Sequence, residues 1–171
     1  VLDLALAKWD CMGTAAHVTM LSEMKGLRRP IVTKAEAAKV RRELGRIVAL
    51  AEKGGFRILT EDQDVHMAVE RMLTERLGDL GKKIHTGRSR NDQVALDIRM
   101  YLKDEIKEIS DMLMSLENAL LSLAKEHLDT IMPGYTHLQK AQPITLAHHL
   151  MAYFEMFKRD ITRLEDTYKR T

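Results

Sequence analysis

The segment from His85 to Asp92 holds the densest set of chemically useful groups in the sequence. It offers two guanidinium groups, two hydroxyls, an amide and an imidazole, and it leads directly into a long helical pattern. Arginine binds carboxylates through two parallel hydrogen bonds. The first turn of a helix adds free N–H groups and the positive end of its dipole. The segment therefore predicts a loop that binds a substrate with several carboxylates.

A second polar segment runs from Gly134 to Pro143. His137 stands there beside the hydroxyl of Thr136 and close to the amides of Gln139 and Gln142. A titratable imidazole whose neighbours can set its tautomer is what a general acid or base requires. A histidine that only makes structural hydrogen bonds remains an equally good interpretation from these residues alone.

Neither a metal site nor a cofactor site is predicted. His148 and His149 are adjacent, so on a helix they point to different faces. His66 and Glu70, four residues apart, are interpreted as a hydrogen-bonded pair on a helix surface. The sequence contains no phosphate-binding glycine loop, nucleophile elbow or dinucleotide fingerprint.

The elements that must position these loops are predicted to be helices, in an all-α fold. Thr33 and Glu36 form a capping box at the start of one helix, and Gly54-Gly55 ends it. Phe56–Leu59 is too short to count as a strand, and residues 134–143 are expected to be a loop. The predicted helices cover residues 3–24, 33–54, 64–77, 91–127 and 145–171.

The helix from Asn91 to His127 organises the rest. Its apolar residues, from Val94 to Leu123, recur every three or four positions, as in the buried face of a helix in a bundle. It would extend ~55 Å, too long for a small domain to cover, so we expect an oligomer. If both polar loops serve one site, neighbouring antiparallel copies must bring them together. A monomeric hairpin with the last helix is the alternative. We expect a small N-terminal helical domain at 1–90 and the start of a long-helix bundle domain at 91–171.

Composition excludes several classes of protein. The 27 basic and 25 acidic residues are interspersed and leave a net charge of +2, so we expect no nucleic-acid partner. No apolar run is long enough to span a membrane, and no secretory signal is visible. Cys11 is the single cysteine, which fits a packed residue in a cytoplasmic protein.

Three segments carry a family resemblance. Residues 64–71, 85–93 and 134–143 resemble the argininosuccinate lyase family of the fumarase/aspartase superfamily, which includes the delta crystallins. The similarity runs nearly without gaps from about Leu6 to the end, and the second and third segments are long and unusual.

The resemblance implies a β-elimination that splits argininosuccinate into arginine and fumarate for arginine biosynthesis, without a cofactor, in a homotetramer with shared sites. It places His137 as an acid/base residue and Asn91 and Thr136 in contact with substrate. It also implies that His85 supports catalysis. The further residues that the resemblance places at the substrate site are Thr14, Ser89, Arg90 and Gln139.

Two departures limit what can be carried over. The family usually has Gly-Ser where this sequence has Gly13-Thr14, which keeps the hydroxyl and adds a methyl group. A later loop that supplies a catalytic serine in the family is not found, nor is the family's Trp-Gly-Gly-Arg-Phe opening. The chain is therefore expected to be an N-terminal portion that is inactive alone. An adenylosuccinate lyase-like enzyme and a crystallin-like structural homologue remain alternatives.

Overall fold

The computed structural model describes residues 2–171, which fall into two compact units, one up to Tyr101 and one from Leu102 onward. The elements are a 3₁₀ turn at Leu2–Leu6 and then α1 (Ala7–Glu23), α2 (Lys34–Glu52), α3 (Val65–Leu77), α4 (Asp79–Lys83), α5 (Arg90–Glu126), β1 (Ile131–Thr136), β2 (Gln139–Thr145) and α6 (Leu146–Arg170). The predicted all-α class is confirmed, since the fold is mostly α-helical and the five predicted long helices are in place. The helix α4 and the two strands were not predicted.

Side-chain caps explain why the helices begin where they do. The backbone N–H of Glu36 donates to Thr33 Oγ1 at 3.2 Å, and the Thr33 N–H donates to Glu36 Oε2 at 2.7 Å. The predicted capping box is therefore confirmed. Asp64 caps α3 by accepting from the Met67 N–H at 2.7 Å. Each cap pairs N–H groups that a helix terminus otherwise leaves free.

The hydrophobic core of the first unit lies where α1 packs against α2 and α3. Burying one aliphatic side chain contributes about 1.5–3 kcal/mol, so this core holds the three helices in register. Cys11 is a free thiol inside it, as the sequence indicated. The large side chains that are almost completely buried include Val18, Leu21, Val32, Val40, Ile47, Val65, Val69 and Leu73.

The second unit buries far less apolar surface. Along its part of α5, Ile106 and Ala124 are buried, whereas most of the predicted apolar face stays open. On α6, Ala147 is buried and Met156 is 47% exposed. The exposed apolar residues of α5 in this unit include Leu102, Ile109, Met112, Met114, Leu116 and Leu123.

The segment predicted as a loop at residues 134–143 is an antiparallel β-hairpin instead. Thr136 pairs with Gln139 across a two-residue turn, and a bulge lies between Pro133 and Tyr135. The usual signs of a hairpin are missing, because the turn lacks Asn-Gly and prolines are rare in strands. Pro133 and Pro143 face each other in the register, so neither position requires an N–H donor.

Among the described residues, no helix combines the length and apolar character needed to cross a bilayer.

Candidate functional site

The first polar loop ends by capping α5. The N–H of Asn91 donates to Ser89 Oγ at 3.2 Å, and the Ser89 N–H donates to Asp92 Oδ2 at 3.4 Å. Gly87 precedes them with φ +69°, a left-handed conformation that glycine adopts without strain. Ser89, which directly precedes α5, and Asn91, in its first turn, are both exposed at the end of the helix that favours negative charge. These two predicted substrate residues are therefore open to a ligand.

Arg88 faces the interior. Its side chain is only 6% exposed, and its Nη1 donates to Thr14 Oγ1 at 3.0 Å. Thr14 is itself buried on α1. One of the two guanidinium groups in the predicted carboxylate-binding loop thus anchors the loop to α1 and is already engaged within the protein.

Beneath the loop lies a cluster of buried charged groups. The Nδ1–H of His66 donates to Asp10 Oδ1 at 3.0 Å, and Asp97 Oδ2 lies 3.4 Å from the same nitrogen. Asp10 and Asp97 are completely buried, and His66 is 3% exposed. The interpretation of His66 as the partner of Glu70 on a helix surface is therefore wrong. Its ring points into the protein because a neighbouring helix supplies a buried carboxylate.

The surroundings of these groups shift their acidity. Burial, reinforced by the charge of Asp10, raises the pKa of Asp97 to about 7, against the opposing effect of His66 and Arg88. Burial lowers the pKa of His66, but the hydrogen bond to Asp10 and the charges of Asp10, Asp64 and Asp97 outweigh it, so that the pKa is raised overall. Asp97 and His66 therefore bind protons more tightly than the same groups do in water.

Two further observations define what this cluster can do. Asp10, His66 and Asp97 offer ligand atoms within 4.8 Å of one another, so these are the described residues that could hold a metal ion. Burial also raises the pKa of the neighbouring Cys11 thiol, with the charge of Asp10 adding to the effect. A thiol that stays protonated is a poor nucleophile.

Arg90 is the loop's second guanidinium, and it is tied to three acceptors. Its Nη1 donates to Gln93 Oε1 at 3.1 Å, while Asp64 Oδ2 and Glu70 Oε2 lie 3.8 and 3.7 Å from other nitrogens of the group. Gln93 in turn donates from Nε2 to Asp10 Oδ1. Arg90 keeps 33% of its side chain exposed.

Three predicted site residues line one narrow cleft in the first unit, namely Thr14, His85 and Arg90. The cavity measures ≈ 10 Å³, about the space of one water molecule. His85 is half-buried there, and the loop behind it is held by a hydrogen bond of 3.0 Å between His17 Nε2 and the Thr86 carbonyl oxygen.

The second polar segment presents its residues at the tip of the hairpin. His137 and Leu138 form the turn with φ of 50° and 63°, the left-handed region, which is strained for a leucine. Thr136 and Gln139 flank the turn as paired residues, and the side chains of Thr136, His137 and Gln139 are exposed. The hairpin thus gathers the three predicted residues of this segment in one place.

A groove of ≈ 460 Å³ lies beside the hairpin in the second unit. Thr136, Gln142 and His148 are among the residues that line it. Gly134 is required there, because a β-carbon on it would lie 2.8 Å from the carbonyl oxygen of Gln142.

The sequence contains a signal for the buried cluster in the spacing of its polar residues. Asp10 and Thr14 are four residues apart on α1, and Gln93 and Asp97 are four apart on α5. Polar residues at that spacing share one helix face. All four of these side chains are buried. The polar face of α1 and the polar face of α5 therefore both point into the fold.

A scan of family models places the chain among known proteins. The model described as lyase matches residues 10–171. This chain belongs to the lyase family. The matched range includes the buried cluster, both polar segments and all of α5 and α6.

Curated relatives of this lyase chain are named argininosuccinate lyase. It is 52% identical over 168 residues to the one from Acetivibrio thermocellus and 54% identical over 168 residues to the one from Heliobacterium mobile. Each alignment covers 98% of this chain and 36% of the relative. The lyase chain therefore spans about a third of the length of the curated relatives it matches.

Solved structures share the fold. An EDDS lyase in complex with formate is 33% identical with a TM-score of 0.78, covering 97% of this chain and 31% of that one. A fumarate lyase:delta crystallin from Brucella melitensis has the same TM-score of 0.78 at 21% identity, covering 97% and 41% of the two chains. At that identity the second likeness shows the fold alone.

Proposed function

We propose that the enzyme containing this lyase chain cleaves argininosuccinate to arginine and fumarate. The observation that carries the proposal is the identity of 52–54% to argininosuccinate lyases over nearly the whole chain. The exposed polar groups at the start of α5 and at the hairpin tip fit a polar, multiply charged substrate.

The reaction is a β-elimination. A base removes the proton from the carbon beside a carboxylate, and the electron pair spreads into that carboxylate. The electrons then form the carbon–carbon double bond of fumarate as the C–N bond breaks, and an acid protonates the departing guanidino nitrogen. The developing charge calls for fixed donors and cations and for no cofactor.

His137 is the residue of this chain proposed for proton transfer. Its imidazole is exposed at the hairpin turn, where substrate can reach it. Thr136 and Gln139, which flank the turn, would contact substrate or orient the ring. The two-residue turn places His137 in the left-handed region with φ of 50°, and general acid–base groups depend on where the backbone places them.

The substrate-binding residues proposed in the first unit are Thr14, Ser89, Arg90 and Asn91, with His85 in support. Asn91 and Ser89 stand at the positive end of α5, which favours a substrate carboxylate. The hydroxyl of Thr14 is engaged by Arg88, so its part in binding would be through a shared hydrogen bond.

The enzyme is proposed to be a cytoplasmic homotetramer with active sites shared between subunits. The open apolar face of α5 in the second unit supports association with further copies. A single buried free cysteine is compatible with a reducing compartment.

The test replaces the matching segment of the Acetivibrio thermocellus argininosuccinate lyase with this chain. We expect the chimeric enzyme to release fumarate from argininosuccinate, followed by ultraviolet absorbance, and the isolated 171-residue chain to show no turnover. A chimaera that is folded, assembled and inactive would refute the proposed function. Turnover by the isolated chain would refute the expectation that catalysis requires residues outside these 171.

The role of His137 is tested in the same chimaera. We expect His137→Asn to lower kcat by about a hundredfold or more, the usual contribution of a general acid or base. His127→Asn is the matched control, because His127 makes a local hydrogen bond to Thr130 at 3.1 Å. Equal kcat values for the two variants would contradict the assignment of His137.

A second candidate activity comes from the EDDS lyase, which is 33% identical at a TM-score of 0.78. The chimaera is therefore assayed with argininosuccinate, EDDS and adenylosuccinate in parallel. The proposed function requires the largest kcat/KM for argininosuccinate, and a larger value for either of the other two would replace it.

A further inference from the structure

Gln93 is an uncharged side chain buried among charged ones. It lies in the first turn of α5 and is 4% exposed, although its amide has two donor hydrogens and an acceptor. A buried amide without partners costs free energy, so its position requires compensation. That compensation comes from Asp10, which lies 83 residues earlier in the chain, and from Arg90.

Chemistry allows the amide only one orientation. Nε2 donates to the Asp10 carboxylate, and Oε1 accepts from Arg90 Nη1 at 3.1 Å. A carboxylate can only accept and a guanidinium can only donate. Reversing the amide would set donors against Arg90 and an oxygen against Asp10. Gln93 therefore connects a fixed acceptor on α1 to a guanidinium at the loop.

The amide makes the shortest polar contact that Arg90 has. The carboxylates of Asp64 and Glu70 lie 3.8 and 3.7 Å from the guanidinium, and both side chains are about a third exposed, where ion pairs contribute little. The bond to Gln93 is anchored in the protein interior, because Asp10 is completely buried and also holds His66. Arg90 thus takes its orientation from Gln93.

We propose that Gln93 is a positioning residue that holds the partly exposed guanidinium of Arg90 in place for a carboxylate of the substrate. This inference rests on the proposed function, in which Arg90 binds substrate. Gln93 acts through Arg90, and the ordering of that side chain before binding lowers the entropy lost when substrate arrives.

A double-mutant cycle in the chimeric enzyme tests the proposal. Gln93→Met keeps the length of the side chain and removes both hydrogen bonds, and Arg90→Met removes the cation. We expect Gln93→Met to raise KM about tenfold with kcat changed by less than about threefold, since a ground-state contact is lost. The double variant is expected to match the KM of Arg90→Met within about twofold, because partners in one network are not additive.

Gln93→Glu is a second variant that does not depend on the first one folding. It keeps the acceptor for Arg90 but places a negative charge against Asp10. We expect a lower Tm than the wild-type chimaera, yet a KM within about threefold of wild type. If Gln93 served only the stability of the fold, the KM of Gln93→Glu would rise together with the loss of Tm. Gln63→Glu, at an exposed position, is the matched control and should change neither value.

The outcomes separate this inference from the proposed function. An inactive wild-type chimaera removes both. An active chimaera in which the KM increases of Gln93→Met and Arg90→Met multiply in the double variant overturns the role of Gln93 alone. So does a tenfold rise of KM in Gln93→Glu.

Discussion

At the scale of single residues, the cluster of Asp10, His66 and Asp97 has the strongest consequence. Two completely buried carboxylates lie 3.0 and 3.4 Å from the Nδ1 of one imidazole, and neither oxygen of Asp97 makes a hydrogen bond within the described part of the chain. Unpaired buried charge is costly, so the folded state favours protonation here. This is why the pKa of Asp97 rises to about 7. The pKa of His66 is raised for a different reason, because its hydrogen bond to Asp10 and the charges of the nearby carboxylates outweigh the effect of burial.

The cluster should make stability depend on pH. A folded-state pKa above the unfolded value means that the stabilisation is complete below the unfolded pKa and is lost as pH rises through the folded pKa. For Asp97 this window runs from its usual value of 3.8 up to about 7. The contribution of Asp97 to the free energy of unfolding should therefore fall as pH rises across that window.

Asp97→Asn checks this sign in the isolated chain. At about pH 5 wild-type Asp97 is largely protonated and the variant should have a similar Tm; at about pH 8 the variant should be the more stable of the two, because wild type then carries a buried charge. Thermal unfolding followed by circular dichroism measures both. Asp129→Asn, at an exposed position, is the control. A Tm difference that is the same at both pH values would contradict the raised pKa of Asp97.

At the scale of elements, local signals in the sequence account for most of the helices and for none of the hairpin. Thr33, Glu36 and Asp64 are caps that can be read directly from residue types. The hairpin instead depends on a close approach of two backbones, at Gly134 and Gln142. Its turn has positive φ at both His137 and Leu138, which residue preferences would not indicate.

Two glycine substitutions test the importance of this close approach, because they are expected to change stability in opposite directions. Gly134→Ala places a methyl carbon 2.8 Å from the Gln142 carbonyl oxygen, so we expect it to destabilise the hairpin by about 1–3 kcal/mol. Gly45→Ala has open space around it inside α2, so we expect stabilisation of about 0.5–1 kcal/mol. Amide hydrogen exchange in the hairpin and Tm report the two effects. An unchanged exchange rate in Gly134→Ala would refute the packing argument.

At the scale of the whole molecule, the two units differ in how they reach stability. The first buries an apolar core between three helices, whereas the second leaves large side chains such as Met112 and Leu116 57% and 42% exposed. Several large apolar side chains exposed along one helix are typical of a protein–protein interface. The chain also spans about a third of its curated relatives, so surface of this kind fits contacts with further chain or further copies.

Self-association provides the test at this scale. We expect the chimeric enzyme to be a tetramer by size-exclusion chromatography with light scattering. Met112→Glu combined with Leu116→Glu should dissociate it, because charges would be buried in the interface. Leu4→Glu, at a 43% exposed position of the first unit, is the control and should leave the assembly intact. A chimaera that stays tetrameric with both glutamates would show that this face is not the interface.

Residue types and their spacing were sufficient to predict the helical fold class, the long helices, one capping box, the two polar segments and the family resemblance. These features depend on neighbours within a few positions of the chain, where periodicity and capping act. The hairpin, the inward turn of Arg88, and the buried contacts of His66 and Gln93 were decided by tertiary structure. His66 meets Asp10 across 56 residues of sequence, and Gln93 meets it across 83. The four-residue spacing indicates which polar groups share a face of one helix, but which groups on different helices become buried partners depends on how the helices pack.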